Sequence, residues 1–131
     1  TKNPALIRQT VDRDRLVLVV SKTQELPDLT ADGEVDFRAL TWVVREAGSG
    51  TRHVLEDEAQ RRGYRLEDLR IFLVLPSNEA VREAVEAGAG ATIISEHVVA
   101  SAIEAGRLRA LSVNLPPRDF VLLRHSERQQ R

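Results

Sequence analysis

Cysteine and methionine are both missing from the sequence, and aromatic residues make up only 4% of its 131 residues. Without cysteine the chain can form neither a disulfide framework nor a thiolate metal site, and the absence fits a reducing compartment. We therefore expect a cytoplasmic protein. The chain begins at Thr1 rather than at a methionine, which indicates a part of a longer polypeptide.

Long hydrophobic runs and an excess of one charge are missing as well. The longest apolar runs, such as residues 16–20 and 71–75, are far shorter than the roughly 20 residues of a membrane-spanning helix. No charged and then apolar leader opens the chain, so we expect no membrane contact. Because 19 basic residues balance 20 acidic ones, no net field draws the chain to nucleic acid. A charged ligand must therefore be recognised locally.

Motifs for metal binding and catalysis are also absent. The three histidines, His53, His97 and His125, show no metal-ligand spacing among themselves or with carboxylates. The sequence has no phosphate-loop lysine pattern and no serine-hydrolase elbow, and no nucleophile has a base to activate it. We expect no metal, no cofactor and no enzymatic activity.

What is present is an alternation of strands and helices that predicts one compact α/β domain. Short β-branched or apolar runs predict the strands, and amphipathic segments that open at serine and close at glycine predict the helices. The alternation favours a mostly parallel sheet with helices on both faces. The predicted strands are residues 16–20, 41–45, 70–75, 91–94, 108–113 and 120–123; the helices begin at Ser49 or Thr51, Ser77 and Ser95 and end at Gly63, Gly88 and Gly106.

The strand-to-helix turns are the candidates for a binding site, because open α/β sheets bind ligands beyond the carboxyl ends of their strands. In the Gly48-Ser49-Gly50-Thr51 turn, unpaired amides at the helix start carry a partial positive charge. Ser77 and Asn78 follow the next strand and would stand beside that turn if the two strands are neighbours. We therefore predict a site for a small anionic molecule, formed by Ser49, Gly50, Thr51, Ser77 and Asn78.

Each candidate also has a purely structural interpretation. The turn at residues 48–51 is equally well explained as a helix cap with flexible glycines. Ser77 and Ser95 are more typical of plain caps than of ligand contacts. These alternatives stay open at the level of the sequence.

The charged residues near the turn admit two interpretations as well. Arg45 and Arg52 bracket the turn and could hold an acidic ligand bidentately. An arginine at a strand end more often bridges to a nearby carboxylate, here Glu46 or Glu56, and we favour that interpretation. Residues 56–58 are three consecutive carboxylates followed by arginines, and they are expected to form a solvated helix face.

Several segments resemble the effector domain of LysR-type transcriptional regulators. They are WVVREAGSGTR at residues 42–52, LPSNEAV at 75–81, VEAGAGA at 85–91, IIS at 93–95 and EAGRL at 104–108. The resemblance covers most of residues 16–123 and implies a fold similar to the type 2 periplasmic binding proteins, in which two α/β subdomains enclose a ligand cleft. It also implies that Ser49, Thr51, Ser77 and Asn78 face the effector.

The resemblance further implies a division of the chain and a set of partners. Residues 1–20 would hold the crossover strand and a remnant of the first subdomain, residues 21–111 the second regulatory subdomain, and residues 112–131 the return strand and a polar tail. The family's regulators assemble as homodimers or homotetramers and bind promoter DNA through a helix-turn-helix part that this chain lacks. The alternatives are a transport-type solute-binding protein, a ligand-binding domain of another fusion and, least favoured, a transferase that uses Ser49.

Overall fold

The computed structural model describes residues 15–115, and its elements alternate as the sequence predicts. The strand predicted at residues 108–113 is shorter, and the one predicted at 120–123 lies outside the described residues. The division of the chain into parts stays a prediction, because most of its first and last parts lies outside the described residues. The strands are β1 Leu16–Ser21, β2 Thr41–Arg45, β3 Arg70–Leu75, β4 Thr92–Ser95 and β5 Leu108–Leu111; the helices are α1 Gly50–Arg61, α2 Asn78–Glu86 and α3 Glu96–Glu104.

The described strands form mixed sheets, in which four of the five strands run in one direction. β2 and β3 pair in parallel, and a parallel bridge from Trp42 to Ala91 joins β2 to the start of β4. β1 is the exception, because it pairs antiparallel with both β4 and β5. Because β1 runs opposite to β2, β1 ends at the same end of the strands at which β2 begins. The connection between them therefore needs no crossover helix. The strands form a three-stranded sheet of order β4-β1-β5 and a two-stranded sheet of β2 and β3, and the Trp42–Ala91 bridge places β2 beside β4.

Helices cover both faces of the sheet, as predicted. Alternate residues of β1 point to opposite faces, and all six of its residues are buried. Leu18 and Val20 join the core under α1, which is built around Trp42 and Phe37. Val17 and Val19 join the core under α2 and α3, together with Val43, Val81, Val85, Ile94, Val99, Ala102 and Leu108. A strand buried on both faces explains why residues 16–20 form an unbroken apolar run. No helix among the described residues is long and apolar enough to cross a membrane.

Gly90 allows two strands to approach closely, a role that its sequence context does not reveal. Gly88 has a φ of +94° and ends α2, as predicted, but Gly90 has a φ of +155° and lies against β2. A Cβ atom on Gly90 would lie 2.5 Å from the carbonyl oxygen of Thr41. The next amide, that of Ala91, donates to the same oxygen at 2.8 Å, and the amide of Val43 donates to the carbonyl of Ala91 at 2.9 Å. These bonds join β2 to the remainder of the sheet.

One prediction for α1 is wrong, because Glu58 is fully buried and does not belong to a solvated face. It lies on the same helix stripe as Val54 and Leu55, which pack into the core. Its Oε1 atom accepts hydrogen bonds from Arg61 at 3.1 Å and from Arg62 at 2.6 Å. A buried carboxylate needs such charged partners to offset its loss of hydration.

Candidate functional site

The starts of α1 and α2 lie side by side, at the carboxyl ends of the neighbouring strands β2 and β3. The Thr51 hydroxyl, in the first turn of α1, donates a hydrogen bond of 3.1 Å to Oδ1 of Asn78, the first residue of α2. The structure therefore brings together the two turns that the sequence singles out. Their contact with a ligand remains a prediction.

The serine hydroxyls at these two starts act as helix caps, as the purely structural interpretation of the sequence predicts. Ser49 Oγ accepts hydrogen bonds from the amides of Thr51 at 3.1 Å and Arg52 at 3.5 Å. Ser77 Oγ accepts one from the amide of Ala80 at 3.0 Å. Capping uses the oxygen lone pairs of each hydroxyl and leaves its proton available for donation to a ligand.

Three first-turn amides remain available at this edge of the sheet. Within residues 15–115, the amides of Gly50, Asn78 and Glu79 have no hydrogen-bond partner. Unpaired amides at a helix start are the groups that carry the positive end of the helix dipole. Two adjacent starts therefore present a cluster of donors that is suited to an oxyanion.

Arg45, the last residue of β2, lies between the two starts and is fixed from two sides. Its Nη1 atom donates to Asn78 Oδ1 at 2.7 Å. Its Nε and Nη2 atoms donate to the two carboxylate oxygens of Glu46 at 2.9 and 3.2 Å, which confirms the predicted bridge to a nearby carboxylate. The bond to Asn78 spans 33 residues, so local sequence patterns do not indicate it.

The bridge to Arg45 changes the acidity of Glu46. Hydrogen bonds from the guanidinium hold the pKa of this carboxyl below its ordinary value, and the backbone amide of Glu46 adds to the effect. A lowered pKa means that the pair contributes to stability above the ordinary pKa of a glutamate. That contribution is lost as the pH falls through the lowered pKa.

Arg52 likewise has a structural role, in agreement with the favoured interpretation. Its Nε atom donates to Glu56 Oε2 at 3.3 Å, and its Nη1 atom donates to the carbonyl of Arg45 at 3.1 Å. Arg52 therefore holds the end of β2 against the first turn of α1. This contact keeps the backbone that carries Arg45 in place.

The third helix start and a shallow cavity lie at the same edge of the sheet. Ser95 caps α3 by accepting a hydrogen bond from the amide of His97 at 3.3 Å. The cavity runs along the beginning of β1 and the end of β5, and the residues of the α1 and α2 starts do not line it. β4 separates β1 from β2, so the cavity lies about two strand spacings, or ~10 Å, from the strand of Arg45. The cavity is lined by Arg15, Leu16, Val17, Leu18, Ala110, Leu111, Ser112, Val113 and Leu115.

A model of the LysR substrate binding domain matches residues 1–131, the whole chain. The chain belongs to this family. The match confirms the resemblance seen in the sequence and the type 2 periplasmic-binding-protein-like fold. A LysR substrate binding domain is a module of transcription regulators. Membership of this family is consistent with a sequence in which we recognise no catalytic motif.

Solved structures show the same fold. The regulatory domain of CcmR from Synechocystis PCC6803, in complex with 2-PG, is 26% identical and superposes with a TM-score of 0.65 over 82% of this chain and 51% of that one. The effector binding domain of QuiR in complex with shikimate is 17% identical, with a TM-score of 0.63 over 82% and 50% of the two chains. This LysR substrate binding domain therefore spans about half the length of these regulatory domains.

Among curated proteins the chain matches both regulators and a transport component. The regulator CbbR of Xanthobacter flavus is 38% identical over 78 residues, which are 60% of this chain and 23% of that protein. The phosphonates import ATP-binding protein PhnC of Anaeromyxobacter dehalogenans is 35% identical over 127 residues, which are 95% of this chain and 25% of that protein. The chain thus spans about a quarter of the length of these relatives.

Proposed function

We propose that this LysR substrate binding domain is the second half of an effector sensor, and that it binds a small anion at the adjacent starts of α1 and α2. The observation that carries the proposal is the hydrogen bond between Thr51 and Asn78, which ties the two starts together. Around it lie the three available amides and the guanidinium of Arg45. Ser49, Gly50, Thr51, Ser77 and Asn78 are the proposed binding residues.

The chemistry of this cluster favours an oxyanion. It offers backbone amides and hydroxyl protons as donors, and these groups bind carboxylate and phosphate oxygens at helix starts. The 2-PG and shikimate complexes of CcmR and QuiR show that domains of this fold take small ligands. Both compounds are therefore suitable first probes for this chain.

The proposed mechanism couples binding to closure of a cleft. Since this chain spans about half of the CcmR domain, a second subdomain would provide the opposite wall. An anion held between the two walls would favour the closed conformer and shift its population. In the full-length regulator, an oligomeric cytoplasmic protein, that shift would alter how the helix-turn-helix parts bind promoter DNA.

The binding step can be tested by calorimetric titration of the chain with 2-PG and shikimate. We expect Thr51→Val to weaken binding by about three- to tenfold, because the hydrogen bond that holds Asn78 against the start of α1 is lost without a change of shape. Thr41→Val, at the opposite end of β2, serves as the matched control and should bind as the wild type does. Equal affinity of Thr51→Val and wild type would contradict the proposed location.

A second candidate function has its own observation. Because 95% of this chain matches part of a phosphonates import ATP-binding protein, the chain could instead sense a phosphonate for a transport component. Methylphosphonate in the same titration would distinguish the two. Binding of methylphosphonate much tighter than that of 2-PG and shikimate would favour the transport-linked function, and the reverse order would favour the regulator.

A further inference from the structure

The guanidinium of Arg45 is held by two partners that differ in how firmly they are fixed. Asn78 Oδ1 accepts from Nη1 and also from Thr51, so this partner is braced between two helices. Glu46 takes the Nε and Nη2 donors, yet half of its side chain is exposed, whereas that of Arg45 is only 18% exposed. Arg45 is therefore fixed in place, while Glu46 can rotate into solvent.

We propose that Glu46 is a displaceable counter-ion, and that the anionic effector binds by replacing its carboxylate on Nε and Nη2 of Arg45. This inference rests on the proposed function and adds the residue that selects the ligand. Asn78 keeps the guanidinium in place during the exchange. Because the exchange preserves the number of charge-assisted hydrogen bonds on Arg45, no buried donor is left unpaired.

The geometry of the exchange defines a ligand class. Nε and Nη2 form a planar fork that matches two oxygens on one atom, as in a carboxylate, phosphate or phosphonate. A monatomic anion can meet both donors only at one shared point, so its two hydrogen bonds are bent. We therefore expect selection for ligands with a bidentate oxyanion group over halides.

The exchange also makes Glu46 a competitor of the effector. Replacing Glu46 with glutamine keeps its shape but removes the charge that holds it on Arg45, so Glu46→Gln should bind 2-PG about tenfold more tightly. Arg45→Gln removes the fork and should weaken binding by tenfold or more. Combining both substitutions should give the affinity of Arg45→Gln alone, because Glu46 competes with the ligand only for the donors of Arg45.

Glu56→Gln is the matched control for a general effect of charge. Glu56 is also paired with an arginine near the start of α1, but its partner is Arg52 rather than Arg45. Its substitution should change the affinity for 2-PG by less than about twofold, since a half-exposed charge outside the site is largely screened.

A second readout follows Glu46 itself. Its carboxyl resonance, measured by NMR as a function of pH, should show the lowered pKa in the chain alone and a return toward the ordinary pKa with 2-PG bound. Unchanged or weaker binding in Glu46→Gln, an equal gain in Glu56→Gln, or an unchanged Glu46 pKa would overturn the inference while the proposed function stands. If neither 2-PG nor shikimate binds any variant, both are overturned.

Discussion

Two residues, Arg45 and Gly90, determine how the two ends of β2 are joined to the neighbouring elements. At one end of the strand, the guanidinium of Arg45 connects the starts of α1 and α2 through Asn78. At the other end, the missing side chain of Gly90 lets the backbone of Ala91 reach Thr41. The first contact shapes the candidate site, and the second unites the sheet that supports it.

Gly90→Ala should therefore lower the free energy of unfolding by about 3 kcal/mol, because its Cβ would overlap the Thr41 carbonyl and neither backbone can yield easily. Gly106→Ala is the control, since Gly106 also has a positive φ but no atom lies within 4 Å of its added Cβ. The control should lose only about 1 kcal/mol. Urea denaturation measures both, and equal losses would show that close approach at Gly90 is unimportant.

Among the elements, α1 makes contacts at both of its ends that its sequence pattern does not predict. Its first turn belongs to the candidate site, and its last residues hold the buried carboxylate of Glu58. Arg62, which follows the helix, also donates to Glu34 at 3.0 Å and lies 4.7 Å above the ring of Phe37. Through Arg62, the end of α1 is fixed to the long connection between β1 and β2.

Arg62→Ala should cost about 3 kcal/mol of stability, because it leaves the buried charge of Glu58 with Arg61 alone. Arg61→Ala is the matched control: its side chain also contacts Glu58 but is 54% exposed, so the loss should stay below about 1 kcal/mol. Thermal and urea unfolding of the two variants would measure both losses in the free energy of unfolding. Similar losses in both would mean that Arg62 has no special part in holding Glu58.

The elements themselves could be predicted, because each depends on local chemistry. Apolar runs gave β1 to β4, and serine and glycine gave the ends of all three helices. That the two helix starts are neighbours depended on a pairing of β2 with β3, which the sequence left open and the structure shows. Contacts between distant residues could not be predicted in the same way. The Arg45–Asn78 bond, the close approach at Gly90 and the burial of Glu58 each depend on which elements meet in three dimensions.

At the scale of the whole molecule, our proposal makes the chain one face of a ligand cleft that a second subdomain would complete. Its described helix starts and the shallow cavity along β1 and β5 share one edge of the sheet. In a chain of about twice this length, as in the CcmR domain, a second subdomain could close over that edge. Under the proposal, this chain alone already contains part of the anion site.

The most direct test is an NMR titration of the ¹⁵N-labelled chain with 2-PG, which reports on each backbone amide separately. We expect saturable shifts of the Gly50, Asn78 and Glu79 amides, with small shifts at the start of α3, where the amide of Glu96 is already bonded to the carbonyl of Arg15. Saturable shifts confined to the cavity along β1 and β5, with those three amides unmoved, would contradict it.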